Sequence, residues 1–459
     1  MKPLTVAQAA SFCGGTVVGD GAAVFTGVST DSRSIPEGAL FLALCGERFD
    51  GHQFIGKAIE NGAVAVVSAR DIDVAVPVIR VADTGRALLA LAGGYRSLFS
   101  MPVVGITGSV GKTTTKEMTA AVLNAKFRTM YTQGNLNNEI GMPLTVFRME
   151  DDTEAAVLEM GMSDFGEISR MTVQAQPDVA VITNIGVSHI EFLGSREGIC
   201  RAKLEILEGL RPGGTAVLCG DEPLLWDKRE SLGVKTVYFG IENPECEVRA
   251  EHIMLSDDCV RFTITAFGRS FPAEIHTAGR HNVYNALAAA AVGAVLGLSD
   301  REIADGLASF TDLHQSIYRK DGYMIIDACY NASPDSVEAS LDVLHELDVT
   351  GRRFAVLGGM RELGAYQDEG HLRCGRRAAA CADVLYALGD GAEQYREGAR
   401  EAGMPDDAIR IFSSHEEMAQ ALRENAQPGD ALLFKGSRYW AMEKVLAGFF
   451  SAQENSDRK

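Results

Sequence analysis

A glycine-rich loop between a buried strand and a helix constrains this chain more than any other feature. The loop covers residues 105–114 (GITGSVGKTT), after an apolar run at 101–104 and before a helix-like run at 115–123. Glycines in such a loop let backbone N–H groups surround phosphate oxygens at a helix N-terminus. The amine of Lys112 can then reach the β- and γ-phosphates of a nucleotide, and the hydroxyl of Thr113 can ligate Mg²⁺.

The loop differs from the strict phosphate-loop consensus at one position. That consensus needs glycine at position 106, where Ile106 stands, and the glycines here are at positions 105, 108 and 111. The alternative is an ordinary glycine-rich turn, but the Gly-Lys-Thr-Thr ending favours a nucleotide site. The residues expected to bind ATP are Thr107, Gly108, Ser109, Val110, Gly111, Lys112, Thr113 and Thr114.

Length and composition exclude several classes of protein. A chain of 459 residues is too long for a single core, so we expect about three domains. The net charge of −19, with no basic stripe, argues against nucleic acid as a partner. Nine cysteines without a C-x-x-C pair indicate reduced thiols rather than disulfides or a zinc site. No apolar run is long enough for a signal peptide or a membrane helix, so we expect a cytoplasmic protein without a membrane span.

The pattern of apolar runs predicts three α/β domains, at residues 1–100, 101–312 and 313–459. The first has short strand-like runs at 16–18, 63–67 and 77–81, and a helix over 85–99. The central block alternates helices with apolar runs at 155–158, 178–182 and 215–218, which is typical of a parallel sheet covered on both faces. A two-stranded element (260–267 and 270–275) and a helix (282–296) follow it. Runs at 324–327, 354–357, 384–388 and 431–434 predict a second open sheet of Rossmann type.

Three further side chains could hold charge around a nucleotide. Glu159 ends one predicted strand and His189 follows the next, so both lie at the carboxyl edge of the predicted sheet. Together with Thr113 they could form a second Mg²⁺ position, although hard cations prefer oxygen to a histidine nitrogen. Taken alone, Glu159 is a helix cap or solvated carboxylate, His189 a loop histidine and Lys203 a solvated helix lysine.

The order of the phosphate loop, Glu159, His189 and Lys203 resembles the Mur ligases, the ATP-dependent amide-forming enzymes of peptidoglycan precursor synthesis. Residues 30–33 (TDSR), 40–41 (LF) and 46–52 (GERFDGH) look like the UDP-sugar-binding domain of the later-acting members. Segments 134–138 (GNLNN), 330–336 (YNASPDS) and 435–438 (KGSR) are similar to the member that takes a dipeptide. The Asp-Asn-Pro-Arg and Lys-Gly-His-Glu segments of the preceding enzyme are absent from the sequence. The resemblance, over residues 27–446, implies UDP-N-acetylmuramoyl-tripeptide and D-alanyl-D-alanine as substrates.

The resemblance also implies a mechanism and a set of catalytic residues. In the family, ATP converts a substrate carboxylate to an acyl phosphate, and the incoming amine then displaces phosphate. Lys112 and Mg²⁺ on Thr113 would hold the phosphates, since two anions must meet. A second Mg²⁺ would lie on Glu159 and His189. The family lysine that matches Lys203 is often carbamylated, which turns a cation into a carboxylate-like group.

The remaining site residues follow from the same resemblance. We expect Asn137 and Asn138 near the ATP or the peptide, although an asparagine in a turn often satisfies only its own backbone. The residues expected near the adenine and ribose are His281, Asn282, Asn285 and Asp327. Those expected near the UDP-sugar are Ser32, Arg33, Asp50 and His52. Those expected to approach the nucleotide and dipeptide from the third domain are Tyr330, Asn331 and Ser336.

Five positions depart from the family pattern. His314 stands where the family has an arginine that approaches the phosphates, and Ala328 where it has an aspartate near the ribose. Ser333 and Val110 each replace an asparagine, and Gly359 replaces an aspartate. We interpret the chain as an active, monomeric ligase with altered nucleotide closure. The alternatives are a weakened paralogue that binds precursors as a regulator, and a phosphate-loop motor or GTPase. The last needs a Walker-B aspartate or an Asn-Lys-x-Asp signature, and neither stands in a suitable place. The third residue of the tripeptide, lysine or diaminopimelate, stays open.

Overall fold

The first domain contains a five-stranded sheet. The computed structural model describes residues 1–46, 49–311 and 316–451. In this sheet the strand order is β2-β9-β8-β5-β4, antiparallel only between β2 and β9. The domain also has two short antiparallel strand pairs, β1 with β3 and β6 with β7. The elements are β1 (Leu4–Thr5), α1 (Val6–Cys13), β2 (Thr16–Val18), β3 (Val24–Phe25), β4 (Gly27–Ser29), β5 (Ala39–Leu42), β6 (Cys45–Gly46), β7 (Phe49–Asp50), α2 (Ile55–Glu60), β8 (Ala65–Ser68), β9 (Val78–Arg80) and α3 (Thr84–Arg96).

The central domain is built on a nine-stranded sheet with the order β11-β12-β10-β13-β14-β15-β16-β17-β18. Its strands are β10 (Val103–Thr107), β11 (Thr129–Tyr131), β12 (Ala155–Glu159), β13 (Val179–Ile182), β14 (Thr215–Cys219), β15 (Lys235–Gly240), β16 (Val248–Leu255), β17 (Val260–Ala266) and β18 (Arg269–Ile275). Its helices are α4 (Lys112–Asn124), α5 (Gly141–Val146), α6 (Glu167–Ala175), α7 (Ile190–Leu193), α8 (Arg196–Leu204), α9 (Pro223–Trp226), α10 (His281–Val295) and α11 (Asp300–Ala308).

The third domain has a six-stranded sheet with the order β19-β20-β24-β21-β22-β23, parallel except for β19. Its strands are β19 (Ser316–Lys320), β20 (Tyr323–Ala328), β21 (Arg353–Gly358), β22 (Val384–Leu388), β23 (Ile409–Phe412) and β24 (Ala431–Lys435). Its helices are α12 (Pro334–Glu346), α13 (Gln367–Cys381), α14 (Ala392–Glu401), α15 (His415–Asn425) and α16 (Glu443–Ser451). Short 3₁₀ helices cover Gly51–Phe54, Glu205–Gly209, Gly364–Tyr366, Asp406–Ala408 and Arg438–Trp440.

Strand order explains where the site lies. β10 lies between β12 and β13, and its last residues pair Ile106 with Glu159 and Thr107 with Ile182. In the third sheet β24 lies between β20 and β21, so Lys435 pairs with Ala328 on one side and Leu357 on the other. Because parallel strands end at one edge, each sheet brings the loops after three strands together, and ligands bind outside such edges.

The sequence predicted the fold class correctly, with two differences. The run 260–275 is not a separate two-stranded element, since β17 and β18 extend the central sheet through β16. The first two domains also share one apolar core, and the first has a second, smaller core on the other face of its sheet. The third domain likewise has a core on each face of its sheet. The domain boundaries near residues 100 and 312 stay predictions. No helix within the described ranges is both long and apolar enough to cross a bilayer.

Candidate active site

The carboxyl edges of the central and third sheets face one cleft of about 420 Å³. The central domain lines it with the phosphate loop, His189 and the start of α10. The third domain lines it with the turn after β20, the turn after β21 and the end of β24. The third-domain residues on the cleft include Ala328, Tyr330, Asn331, Ser333, Ser336, Arg361, Glu362, Lys435, Ser437 and Arg438.

The phosphate loop is held in shape by the turn that follows β13. Val110 N donates to Asn184 Oδ1 at 3.0 Å, and Val110 O accepts from Thr183 Oγ1 at 2.7 Å. A Cβ on Gly108 would lie 1.8 Å from that same Thr183 oxygen, so only glycine fits there. Gly111, at φ +79°, begins α4 in the left-handed region that favours glycine. The loop therefore points the N-terminus of α4 into the cleft, as a phosphate site requires.

Lys112 is folded back over its own loop. Its Nζ donates to Gly108 O at 2.9 Å and to Ser109 O at 3.3 Å. Burial lowers the pKa of Lys112, and the negative charge of Glu159 partly offsets that effect. The amine thus lies beside the loop backbone that would surround a phosphate group, with carbonyl oxygens that an anion can replace.

Glu159 is the centre of a buried polar cluster next to the loop. Its Oε1 accepts from Thr113 Oγ1 at 3.2 Å and from Asn137 Nδ2 at 2.8 Å. Its Oε2 is buried, lies 3.9 Å from Lys116 Nζ and has no hydrogen-bond partner among the described residues. A carboxylate and a hydroxyl in contact, with one carboxylate oxygen left over, fit a hard cation such as Mg²⁺. The predicted proximity of Thr113 and Glu159 is present.

His189 lies on the same cleft but contacts a different partner. Its backbone has φ 62°, and its Nδ1 lies 2.8 Å from Glu362 Oε2, on the third domain. The adjacent His189 ring lowers the pKa of Glu362. The His189 ring therefore contacts a carboxylate of the third domain rather than Thr113 or Glu159.

Lys203 is not the solvated helix lysine that its local sequence suggests. Its side chain is 2% exposed, and burial followed by repulsion from Lys112 holds its pKa well below the usual range. The nearby acidic residues have other partners: Glu205 accepts from Gly166 N and Ser169 N, and Glu208 accepts from Ser169 Oγ. Neither glutamate forms an ion pair with Lys203 among the described residues.

The start of α10 packs directly behind the phosphate loop. Asn285 accepts from Thr115 Oγ1 at 3.0 Å and donates to Asn282 Oδ1 at 2.9 Å, and Asn282 donates to Ala278 O at 2.8 Å. His281 and Asn285 line both the main cleft and a second cavity of about 280 Å³. All three predicted residues of this segment thus line the cleft beside the phosphate loop.

Comparisons with known proteins agree with this geometry. Family models match residues 24–96 (Mur ligase family, catalytic domain), 106–293 (Mur ligase middle domain) and 314–438 (Mur ligase, glutamate ligase domain). The UDP-N-acetylmuramoyl-tripeptide–D-alanyl-D-alanine ligase of Bacillus subtilis strain 168 is 41% identical over 92% of this chain and 93% of its own. The chain belongs to the Mur ligase family.

Two solved structures are similar over almost the whole of this Mur ligase. The crystal structure of MurF from Acinetobacter baumannii has a TM-score of 0.91 at 32% identity, covering 98% of this chain and 99% of that one. MurF ligase from Thermotoga maritima, solved in complex with ADP, has a TM-score of 0.83 at 32% identity and covers 94% and 98%. The similarity therefore includes all three domains.

The predicted third-domain residues divide into two groups. Tyr330 is exposed on the cleft, with the Arg438 guanidinium 5.7 Å from its ring centre. Asn331 and Ser336 also line the cleft, although Ser336 Oγ accepts from Ser333 N and so caps α12. Asp327 is not among the cleft-lining residues and accepts from Cys329 N at 3.2 Å.

Asp327 is not among the residues that line the cleft, and its role near the ribose stays a prediction. Successive side chains of a strand point to opposite faces, and Ala328, the next residue, lines the cleft instead. His314, which stands where the family has an arginine near the phosphates, lies outside the described residues. Asn138 accepts from Gly141 N at 2.8 Å, so its side chain supports the start of α5.

Of the predicted UDP-sugar residues of the first domain, Asp50 and His52 contact each other. Asp50 Oδ1 lies 2.8 Å from His52 Nδ1, and Asp50 Oδ2 lies 2.8 Å from Arg70. The hydrogen bonds from His52 lower the pKa of Asp50. Arg33 is exposed and pairs with Asp31, and Ser32 is buried.

Cys45 lies 3.3 Å from both Asp50 Oδ1 and His52 Nδ1, which gives a cluster of metal-ligand type. The hydrogen bonding of the ring argues against a cation there. Ala69 N donates to His52 Nε2 at 3.0 Å, so the neutral ring carries its proton on Nδ1. A metal on Nδ1 would leave an imidazolate, so we interpret the cluster as a network that orients His52.

Sequence reasoning missed four residues that shape the site. Thr183 and Asn184 hold the phosphate loop, and Lys435 and Ser437 line the cleft. The first pair follows directly after β13 at the sheet edge, which is a usable signal. The second pair lies in the KGSR segment, which carried the family resemblance but received no role.

Proposed function

We infer that this chain is an ATP-dependent ligase that joins D-alanyl-D-alanine to UDP-N-acetylmuramoyl-tripeptide, giving the pentapeptide precursor of peptidoglycan. The observation that carries the inference is the phosphate loop facing the third domain across one cleft, in a chain 41% identical to such a ligase over nearly its whole length. The alternative, a regulator derived from the same family, is less favoured because Lys112, Thr113, Glu159 and Lys203 are all present.

The first chemical step joins a carboxylate oxygen of the tripeptide to the γ-phosphorus of ATP, with ADP leaving. Lys112 and the N-terminus of α4 would hold the β- and γ-phosphates through the step. Thr113 and Glu159 would hold Mg²⁺, which when bound neutralises charge on the transferring phosphoryl group. For His189 to serve as a second metal ligand, as the family resemblance implies, its contact with Glu362 must be exchanged.

The second step forms the amide bond. The amine of D-alanyl-D-alanine attacks the acyl carbon, loses a proton, and inorganic phosphate leaves. Closing the third domain over the cleft would exclude water, which otherwise hydrolyses an acyl phosphate.

Lys203 is proposed as a carbamylated lysine. The neutral amine forms an N–C bond to CO₂ and releases a proton, which leaves an anionic group. Two observations support this. Burial lowers the pKa of Lys203, which favours the neutral amine. Lys203 also forms no ion pair with the described residues. An unmodified ammonium would instead repel Mg²⁺ and the nearby Lys112.

The other substrate contacts are proposals by the same reasoning. Ser32, Arg33, Asp50 and His52 would lie on the UDP-sugar side, which places this substrate on the first domain. His281, Asn282 and Asn285 would form the adenine side, near the second cavity. We propose a monomer that works in the cytoplasm, which suits nine cysteines that are all free thiols.

The test is product formation from purified protein. UDP-N-acetylmuramoyl-tripeptide, D-alanyl-D-alanine, ATP and Mg²⁺ should give a product whose mass equals the two peptidyl substrates joined with loss of water. Parallel reactions with lysine- and diaminopimelate-containing tripeptides determine which is accepted. Binding of the tripeptide precursor without any ATP turnover would favour the regulator instead.

A further inference from the structure

Lys435, the last residue of β24, and Ser437 just after it place two incompletely used hydrogen-bond donors on the cleft wall. Lys435 is 7% exposed, and among the described residues its Nζ donates to one acceptor, Asn331 O, at 3.1 Å. Ser437 is 5% exposed, and its Oγ has no hydrogen-bond partner within the described ranges. Both residues line the cleft. An ammonium and a hydroxyl two residues apart are therefore both buried on the cleft wall, with donor capacity that the described part of the chain does not use.

The chain between these two residues is fixed tightly. A Cβ on Gly436 would lie 3.0 Å from Gly358 Cα and 2.6 Å from Met442 Cγ, so the turn lies directly against β21. Ser437 N donates to Gly359 O at 3.2 Å, which fixes the same turn from its other end. The two donors are thus set on a rigid backbone, as a binding site requires.

A buried cation without a counter-ion is unfavourable. Burial lowers the pKa of Lys435 to about 8. The thiols of Cys329 and Cys374 are close enough to affect that pKa, and burial raises the pKa of each thiol. Neither thiol therefore supplies a negative charge at neutral pH. Lys435 forms no ion pair with the described residues. An anionic oxygen ligand entering the cleft would therefore offset the free energy lost by burying its charge.

We propose that Lys435 and Ser437 bind the terminal carboxylate of the incoming D-alanyl-D-alanine, an assignment that rests on the proposed function. The phosphates have their own cationic site on the opposite wall, at Lys112 and the N-terminus of α4. The dipeptide carries an amine, which must reach the acyl phosphate, and a carboxylate, which must be kept away from it. A carboxylate near the transferring group would repel it and compete as a nucleophile. The cation across the cleft suits the far end of the dipeptide.

A substrate that lacks the carboxylate tests the pairing directly. We compare kcat/KM for D-alanyl-D-alanine with kcat/KM for its C-terminal amide, in the wild type and in Lys435→Met. The wild type should prefer the acid by about 10- to 100-fold, the range for a hydrogen bond to a charged group. Lys435→Met should reduce that preference to a few-fold by losing activity on the acid alone. Ser437→Ala should reduce it partly, and KM for ATP should not change.

Two further variants make the comparison decisive. Lys435→Arg keeps the charge and should keep most of the preference for the acid, which protects the test if the methionine variant is unstable. Lys444→Met removes an exposed lysine of α16 that does not line the cleft, and should behave like the wild type. Thermal unfolding of each variant checks that the fold is retained.

Four results would overturn the assignment. A preserved acid preference in Lys435→Met with a raised KM for ATP would assign the lysine to phosphate binding. An equal loss on acid and amide would give it only a structural role. A wild type that ligates D-alanyl-D-alanine but shows no acid preference would refute the carboxylate contact while leaving the proposed function intact. No ligation by the wild type at all would refute both.

Discussion

Asp335 Oδ2 accepts a hydrogen bond from the Val187 backbone N–H at 3.0 Å, across the boundary between the third and central domains. Arg373 holds the other oxygen of Asp335 at 2.7 Å. The approach is so close that a Cβ on Gly186 would lie 2.0 Å from Asp335 Oδ2. Two residues beyond Val187, His189 contacts Glu362. The third domain therefore closes on the turn that carries His189.

Gly186→Ala should lower kcat about 10-fold or more, because the added methyl group prevents Asp335 from reaching Val187 and misplaces the closed domain. Steady-state kinetics measure the loss, and small-angle scattering should show a less compact protein. Gly56→Ala is the matched control, since a Cβ there meets nothing within 4 Å and the residue lies in α2. Unchanged kinetics and scattering in Gly186→Ala would mean that this contact does not control closure.

Glu159→Ala and His189→Ala should each lower kcat more than they weaken ATP binding. The proposed metal ligands matter chiefly as charge develops during phosphoryl transfer, so their loss affects the transition state more than the bound nucleotide. Turnover and direct nucleotide titration separate the two effects. Glu230→Ala removes an exposed carboxylate and should change neither. A raised KM for ATP with an unaltered kcat would assign both residues to ground-state binding.

Lys203→Ala should be nearly inactive and partly restored by added short-chain carboxylates, because the proposed carbamate supplies an anion. Lys203→Arg should stay inactive, since arginine keeps a positive charge and cannot form a carbamate. Mass spectrometry of native protein in ¹³C-labelled bicarbonate, with NMR detection of the carbamate carbon, gives a second readout. Full activity of Lys203→Arg would refute the modification.

Lys435→Met should raise the free energy of unfolding at pH 7, by an amount that shrinks as the pH rises from 8 towards 10.5. Burial lowers the pKa of Lys435 to about 8 from the ordinary 10.5. Below pH 8 the amine is charged in both the folded and the unfolded protein. The folded protein is then destabilised by the full effect of burying the charge, about 3 kcal/mol at about 1.4 kcal/mol per pKa unit. Between the two values the unfolded state binds more protons, so the wild type gains stability relative to the variant.

Urea unfolding of both proteins at several pH values measures this difference, and Lys444→Met gives the baseline for removing an exposed lysine. A stability difference between Lys435→Met and the wild type that does not vary with pH would contradict a buried, unpaired ammonium at this position.

The sequence predicted those parts of the site that depend on local pattern. The buried runs of β10, β12 and β13 identified the parallel sheet, and strand ends then located Glu159 and the turn before His189. β16 was missed because its exposed and buried residues do not alternate regularly. Ala328 rather than Asp327 lines the cleft, because a one-residue shift along a strand changes the face on which a side chain lies.

Contacts between distant segments were beyond the sequence. Val187 and Asp335 are 148 residues apart, and nothing in either local pattern indicates that they meet. The partner of His189 is likewise on another domain, so a loop histidine could not be distinguished from a metal ligand by spacing. Burial of Lys203 was hidden for the same reason, because a short helix with charged neighbours is usually exposed.

Phosphate release by the wild type and by Lys112→Ala tests the central claim most directly. With ATP, Mg²⁺ and UDP-N-acetylmuramoyl-tripeptide, the wild type should release one phosphate per ligated product, and only when D-alanyl-D-alanine is present. Lys112→Ala should lower the rate of phosphate release at least about 100-fold, because it removes a charge beside the transferring phosphoryl group. Lys57→Ala, which removes an exposed lysine of α2, should leave that rate unchanged. Near-normal ligation by Lys112→Ala, or phosphate release that ignores the dipeptide, would contradict the account.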